Sequence, residues 1–323
     1  LYIADEAIKN SEMLHLEYPI EHGVVTNWDN MEKIWHYTIH NKLQIEPSEC
    51  SVIITEHAKN PKANRAKMIE IMFEKFNMSS FFVSCDSTLS MYSSGDITGI
   101  VCDIGDGVSE ICPFYHGYSF PHAINRRNFG GGDLTKYLSE ILTECGYKFT
   151  TTAEMETLRE IKEKNCYVAL NYDEELQKLN KNNDFDVSYK IPNGKVVKFS
   201  DQQIRCPEIL FKPQLNGFQL NGIDKAIFDS IMKCPIHARK ELYGNIILSG
   251  GCTMLKGFKN RIEKEIASLA PPTININVKV QRKDAVWYGG SVLGSLIRFP
   301  MMVIEHDEYD DAGPGIVHRK CFF

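Results

Sequence analysis

The order of apolar and polar positions predicts a mixed succession of helices and strands. Trp28, Met31, Ile34, Trp35, Thr38 and Ile39 recur at helical spacing behind Thr26-Asn27-Trp28-Asp29, which fits a capping box. Ser51 to Thr55 is a short apolar run, the mark of a buried strand. Asn60-Pro61 opens a helix with Pro at its first position and Met68, Ile71, Met72 and Phe76 on its buried face. Phe81 to Cys85 reads as a second buried strand, and Ser87 to Tyr92 as a short helix ending at Gly95. From Gly99, an apolar strand runs into Gly105-Asp106-Gly107 and returns as another strand, a hairpin signal. Phe129 to Asp133 opens a helix with Leu134, Tyr137, Leu138, Ile141 and Leu142 on one face and Gly146 as its C-cap. Thr151 and Glu154 cap a long helix reaching about Leu170. Asn171 to Asp186 is polar and Asn/Lys-rich, predicting a surface excursion, and Tyr189 to Val197 predicts a hairpin with an Asn-Gly turn. Asn245 to Leu248 is a strand leading into Ser249-Gly250-Gly251, and the helix beyond carries Phe258, Ile262 and Ile266. Gly289-Gly290 opens a last helix containing Val292, Leu293, Leu296 and Ile297. Strands alternate with helices but hairpins interrupt the alternation, so the pattern predicts an α/β chain with partly antiparallel sheets.

Composition narrows this reading. A chain of 323 residues suggests two domains, or one with large insertions. Hydrophobic residues at 43% and charged residues at 24% exclude a disordered or fibrous chain. A net charge of −6 gives no basic excess for nucleic acid or an anionic membrane. No uninterrupted apolar run is long enough to predict a transmembrane helix, and the first residues lack a signal peptide's basic and apolar regions. The chain opens on Leu1 rather than Met and reads as entered partway along. None of its ten cysteines forms CxxC. Buried, reduced thiols are the expectation, with zinc or disulfides as alternatives.

Three glycine-rich turns are the candidate chemistry: Asp103 to Ser109, Gly130 to Asp133, and Ser249 to Gly251. Backbone N–H groups in such turns can hold phosphate oxygens, and a following helix N-terminus favours negative charge. Asp103, at the end of an apolar strand, could hold water on a divalent cation between phosphates. Each turn alone is equally a matter of chain geometry; three at strand–helix junctions point to a nucleotide site. The pattern is neither a P-loop nor a dinucleotide fingerprint. His36 and His40 have metal-ligand spacing but lack the Glu of HExxH, since position 37 is Tyr, so ordinary helix histidines are expected. The basic residues around Arg239-Lys240 and Lys259-Arg261-Lys264 alternate with acids, as on solvated helix faces.

Longer motifs carry a resemblance. Tyr18 to Gly23 (YPIEHG), Thr26-Asn27-Trp28, Asn60 to Arg65 (NPKANR), Asp106-Gly107-Val108, Ile161 to Lys164 (IKEK), Ser230 to Cys234 (SIMKC), Leu248 to Gly251 (LSGG), Ala312-Gly313-Pro314 and Ile316 to Cys321 (IVHRKC) all resemble actin. The likeness covers essentially the whole chain, which looks like a divergent actin-like or actin-related protein. It implies an α/β, actin-like two-lobed ATPase fold, with mixed sheets, RNase H-like halves and a nucleotide cleft. The implied division is 1–18 as a remnant of small subdomain 2; 19–93 with 285–323 as subdomain 1; 94–129 with 219–284 as subdomain 3; and 130–218 as subdomain 4. ATP or ADP with Mg²⁺ or Ca²⁺ would lie between the lobes. By the same resemblance Asp103 would position the cation through water. Gly105, Asp106, Gly107 and Val108 would clamp phosphate, and Gly131 would approach the ribose. Lys162 and Glu163 would contact the adenosine, and Gly250, Gly251, Met254 and Lys283 would complete the nucleoside pocket.

Departures from the family shape the functional expectation. Asp86 stands where actins carry the glutamine that orients the attacking water, and Glu110 replaces a histidine of the same water network. These two are the candidate catalytic residues, and a carboxylate near the γ-phosphate implies at most a weak ATPase. Gly132 replaces an arginine, Leu255 an adenine-stacking tyrosine, and Ser109 a threonine. Actins carry about fifty further residues before Leu1, so the chain is expected to be incomplete, with sheet edges and apolar surface left open. The expected function is a cytoplasmic, cytoskeletal subunit of a filament or filament-associated complex, with a nuclear setting open. It would assemble with itself or other actin-family subunits, without nucleic acid or membrane. Phe218 and Leu220 lie in the loop Leu215 to Ile223, matching actin's inter-strand plug, or an ordinary part-buried loop. Tyr92, Leu293, Leu296 and Met302 match the groove that receives actin-binding partner helices, or plain core. The alternatives are a non-polymerising subunit of a larger complex (chromatin-remodelling, dynactin-like or branching) and, more distantly, a small-molecule kinase of the same fold.

Overall fold

In the computed structural model, residues 2–10, 13–181, 187–190 and 196–321 are described. Two sheets organise the chain. In the larger, Gly99–Ile104 pairs in parallel with Ile246–Ser249, which pairs in parallel with Val278–Val280. On its other side Gly99–Ile104 pairs antiparallel with Ser109–Tyr115, the predicted hairpin, in a register that sets Asp103 opposite Glu110. Tyr118–Ser119 and Asn125–Arg127 extend this sheet along Ser109–Tyr115. The smaller sheet has three strands: Ser51–Glu56 parallel to Ser80–Cys85, and Ile304–Glu305 antiparallel to the latter.

Each sheet has its own apolar core. One includes Ile100, Leu134, Leu138, Ile227, Leu248, Phe258 and Ile262. The other joins Ile69, Met72, Phe81 and Leu89 to Leu293, Ile304, Val317 and Cys321, so the C-terminal stretch closes the smaller lobe. A third cluster, with Cys85, Met91, Val101, Cys112 and Ile247, ties the two together. Burial on both faces explains why Ser80–Cys85 and Gly99–Ile104 read as continuous apolar runs.

Most predicted elements lie where the pattern placed them, with instructive shifts. Asn27 caps the helix Trp28–His36 by accepting from Asn30 N, but position N3 is Asn30, so the reciprocal half of a capping box is missing. Pro61 is the N-cap of Lys62–Glu70, one residue earlier than expected. The capping box of Thr151 and Glu154 is present, yet its helix stops at Asn165, not Leu170. Cys166 turns extended there, and Tyr167 bridges to Lys256. The polar stretch from Asn171 holds a helix, Tyr172–Lys181, whose Leu176 and Leu179 pack on Ala169 and Ile204; few apolar positions sufficed because only one stripe is covered. The Asn-Gly turn expected near Asn193 lies outside the described residues; its arms Val187–Lys190 and Val196–Phe199 pair antiparallel.

Gly289 and Gly290 do not open the last predicted helix. They sit inside Ala285–Gly294, while Leu296 and Ile297 lie beyond its end, exposed. The reason is packing: a Cβ at Gly289 would stand 1.8 Å from Leu89 O, so the backbones of Ala285–Gly294 and Asp86–Ser93 touch at this glycine. The described cysteines are all free, and all but Cys50 and Cys145 are buried. Among the described residues no helix is long and apolar enough to cross a membrane.

Candidate functional site

The three glycine turns meet at one point. The tip of the hairpin closes through Gly105 N to Val108 O at 2.9 Å. The turn before Gly131–Glu144 then docks on it: Gly131 N donates to Gly105 O at 2.9 Å and Gly132 N to Asp106 O at 2.8 Å. A Cβ on Gly130 would lie 2.5 Å from Asp106 O. From the other side Gly250, at φ +83, brings its Cα so close that a Cβ would stand 2.4 Å from Ile104 O. Here glycine is required twice over, by the left-handed backbone and by the contact.

Around this junction opens a cavity of about 300 Å³ lined by Gly105, Asp106, Gly131, Arg159, Lys162, Glu163, Gly251, Cys252, Met254, Leu255 and Lys283. Eight of these were named from the sequence as nucleotide-site residues. Lys162 is buried, and its ammonium donates to Gly131 O at 2.6 Å and Thr135 Oγ1 at 2.8 Å, tying Thr152–Asn165 to the first turn of Gly131–Glu144. Glu163 and Lys283 face each other across the opening at 3.6 Å. Arg159 and Cys252 were missed. Arg159 stands three and four residues before Lys162 and Glu163, a helical spacing that could have revealed it. Burial pushes the Cys252 thiol up to about 12, so it lines the cavity as an inert group.

Other named residues lie outside this cavity. Val108 is buried, and Gly107 lies against the chain at His22, whose Nδ1 is 3.0 Å from Gly107 O. Gly250 supports the turn from below. Asp103, Asp86 and Glu110 form a second group, with His57, a residue the sequence did not single out. Its Nδ1 is 3.1 Å from Asp86 Oδ2 and 3.8 Å from Glu110 Oε2. Glu110 is buried and accepts from Ala58 N at 2.6 Å and Ser87 Oγ at 2.9 Å. Burial raises the Asp86 carboxyl to about 6, helped by Asp103 and opposed by His57. Burial also raises Asp103, against a hydrogen bond from Ser249. For His57 burial works to lower the pKa, but Glu110, Asp86 and Asp103 outweigh it and raise it. Asp86 Oδ1 is buried without a hydrogen-bond partner, and His57 Nδ1 meets the two carboxylates as a close charge contact rather than an aligned hydrogen bond.

The residues suit a nucleotide. Gly105 and Gly251 leave open space where side chains would intrude, since a Cβ on either meets nothing closer than 3.7 Å. The cavity volume falls in the range of small-molecule sites. Among the described residues no group of three or more His, Cys, Asp or Glu could hold a metal alone. A cation near Asp103 would therefore draw most of its ligands from phosphate and water, as hard cations on nucleotides do.

The named partner surfaces are of unequal character. Phe218 and Leu220 are partly buried on the larger core, Phe218 edge-on to Phe129 at 5.0 Å, while Leu215 is exposed. Leu293 belongs to the smaller core; Tyr92 and Met302 pack partly against it; Leu296 is 49% exposed.

Two lobes, each with its own sheet, joined beside a glycine-lined cleft define a two-lobed α/β nucleotide-binding protein. The family model described as Actin matches residues 1–322, and the chain belongs to the actin family.

Proposed function

We propose that this chain is a cytoskeletal protein of the cytoplasm that binds ATP or ADP with Mg²⁺ or Ca²⁺ and serves as a subunit of a filament or filament-associated complex, with slow hydrolysis. The observation that carries this reading is the convergence of Gly105, Asp106, Gly131, Lys162, Glu163, Gly251, Met254 and Lys283 on one cleft. In it the hairpin from Gly105 to Val108 receives the phosphates, Asp103 orients the cation through water, and Met254 and Leu255 offer an apolar wall to the base. Lys162, already bound to Gly131 O, positions the ribose-side turn. The four-subdomain division stated above is the frame for these roles.

Slow turnover follows from Asp86. Phosphoryl transfer depends on placing water and stabilising charge. A short carboxyl in place of an amide orients water poorly and, when ionised, repels the phosphate. The same feature favours a second reading, a non-polymerising subunit of a larger complex that uses nucleotide for structure alone.

The test is binding of labelled ATP to the full chain with and without Mg²⁺ or Ca²⁺, followed by phosphate release. The expected result is cation-dependent binding with release far slower than that of conventional actin. Absence of binding would overturn the nucleotide reading. Fast release unchanged by Asp86→Gln would overturn the slow-turnover reading alone.

A further inference from the structure

His57 and Asp86 line a second cavity, of about 540 Å³, separate from the one lined by Gly105 and Lys162 and reached past the Gly105-to-Val108 hairpin. We propose that His57 is a positioning residue there, supplying the positive charge that lets Asp86 and Glu110 face the terminal phosphate of a nucleoside triphosphate. This rests on the nucleotide reading above and adds to it a residue, His57, whose effect is read in the ratio of triphosphate to diphosphate affinity.

Three observations carry it. First, His57 follows directly on the strand Ser51–Glu56, so its backbone is anchored by the smaller sheet. Its ring is held from the far side by the Tyr18-to-Gly23 loop. A Cβ at Gly23 would stand 2.1 Å from His57 Cδ2 and 3.0 Å from Val108 Cγ2, so loop, imidazole and phosphate hairpin share one contact. Second, the carboxyl groups need a counter-charge. Asp103 and Glu110 are cross-strand partners, and Asp86 starts the helix beside them. The neighbouring cations are engaged elsewhere: Arg126 donates to the carbonyls of Ala58, Lys59 and His22, and Lys59 Nζ to Ile124 O. Among the described residues, His57 has a ring nitrogen within 4 Å of both Asp86 and Glu110, and when protonated it supplies the counter-charge. Third, Asp86 presents Oδ2 to His57 while its buried Oδ1 has no partner. A buried acceptor without a donor is costly, so the Asp86 carboxyl depends on the imidazole at its other oxygen.

Without His57, anionic carboxyls would face an anionic phosphate. At a protein-like dielectric, unit charges a few ångströms apart change affinity by more than about tenfold. ADP, which lacks the terminal phosphate, would feel this less.

The experiment measures ATP and ADP affinities of the full chain with Mg²⁺, for wild type, His57→Gln, Asp86→Asn and the double variant. His57→Gln is expected to weaken ATP relative to ADP by about tenfold or more. Asp86→Asn alone is expected to strengthen ATP relative to ADP. In the double variant the ratio should return to within roughly threefold of wild type, because the repelling charge is gone with its counter-charge. A purely structural role for His57 would not give this restoration. If wild type binds ATP but His57→Gln leaves the ratio unmoved, or Asp86→Asn does not restore it, the inference is wrong and the nucleotide reading stands. If wild type binds neither nucleotide, both are overturned.

Discussion

Burial lifts the Asp86 carboxyl from 3.8 to about 6, and this links the site to stability. Because the folded value lies above the unfolded one, the native chain binds more protons than the unfolded chain between about pH 4 and pH 6. Stability contributed by this group is therefore present at the acid end and lost as pH rises through the window, by up to about 3 kcal/mol. His57, also raised, acts in the same direction at higher pH: its contribution is full below 6.5 and is lost as pH rises through its folded value. Urea unfolding of wild type and Asp86→Asn at about pH 4.5 and pH 6.5 checks this. The stability difference between the two proteins should shift by about 1–3 kcal/mol in favour of the variant at the higher pH. Parallel behaviour at both values would show that the carboxyl is not shifted.

At the scale of elements, the join between Ala285–Gly294 and Asp86–Ser93 decides how the site is carried. The second of these helices begins at Asp86, so its seating sets where that carboxyl lies. Gly289 is the point of closest approach, and an added Cβ would meet Leu89 O at 1.8 Å, whereas at Gly290 it would meet Leu89 Cδ1 at an ordinary 3.7 Å. Gly289→Ala is expected to cost about 2–4 kcal/mol by forcing the helices apart, lowering Tm by roughly 3–6 °C. Gly290→Ala, one residue along the same helix, should be neutral or stabilising by up to about 1 kcal/mol through helix propensity. Thermal melts of both separate packing from propensity; equal effects would contradict the close approach.

For the whole molecule, the exposed apolar side chains bear on assembly. Trp287, Leu296, Ile297 and Met301 stand out from the smaller lobe near its C-terminal elements, with Ile297 98% exposed. Isolated apolar residues on a surface need no explanation, but four large exposed ones within fifteen residues of chain suit a contact with another subunit or a partner helix. A filament subunit should pellet under polymerising salt with ATP and Mg²⁺, and only above a threshold concentration. Sedimentation across concentrations measures this. A chain that stays in the supernatant throughout would favour the non-polymerising reading, with the nucleotide site unaffected.

The sequence by itself determined the strands, most helices, the three glycine turns and the residues that resemble actin. Those features are local: an apolar run flanked by glycine, or a Thr151-to-Glu154 box, depends on neighbours a few residues away. It also placed Asp86 and Glu110 under suspicion, because the family motif around them is specific. What only the tertiary structure decided is contact between distant segments. The helix after Thr151 stopped early because Tyr167 is drawn to Lys256, a pairing no local pattern carries. Gly289 read as a helix start because glycine is a breaker in isolation, whereas here its missing side chain makes room for Leu89 O. His57 follows an ordinary strand and carries no motif, so only its approach to Asp86 and Glu110, residues 29 and 53 positions further along, gave it a role. Charge neutralisation depends on distance in space, which a one-dimensional pattern does not record.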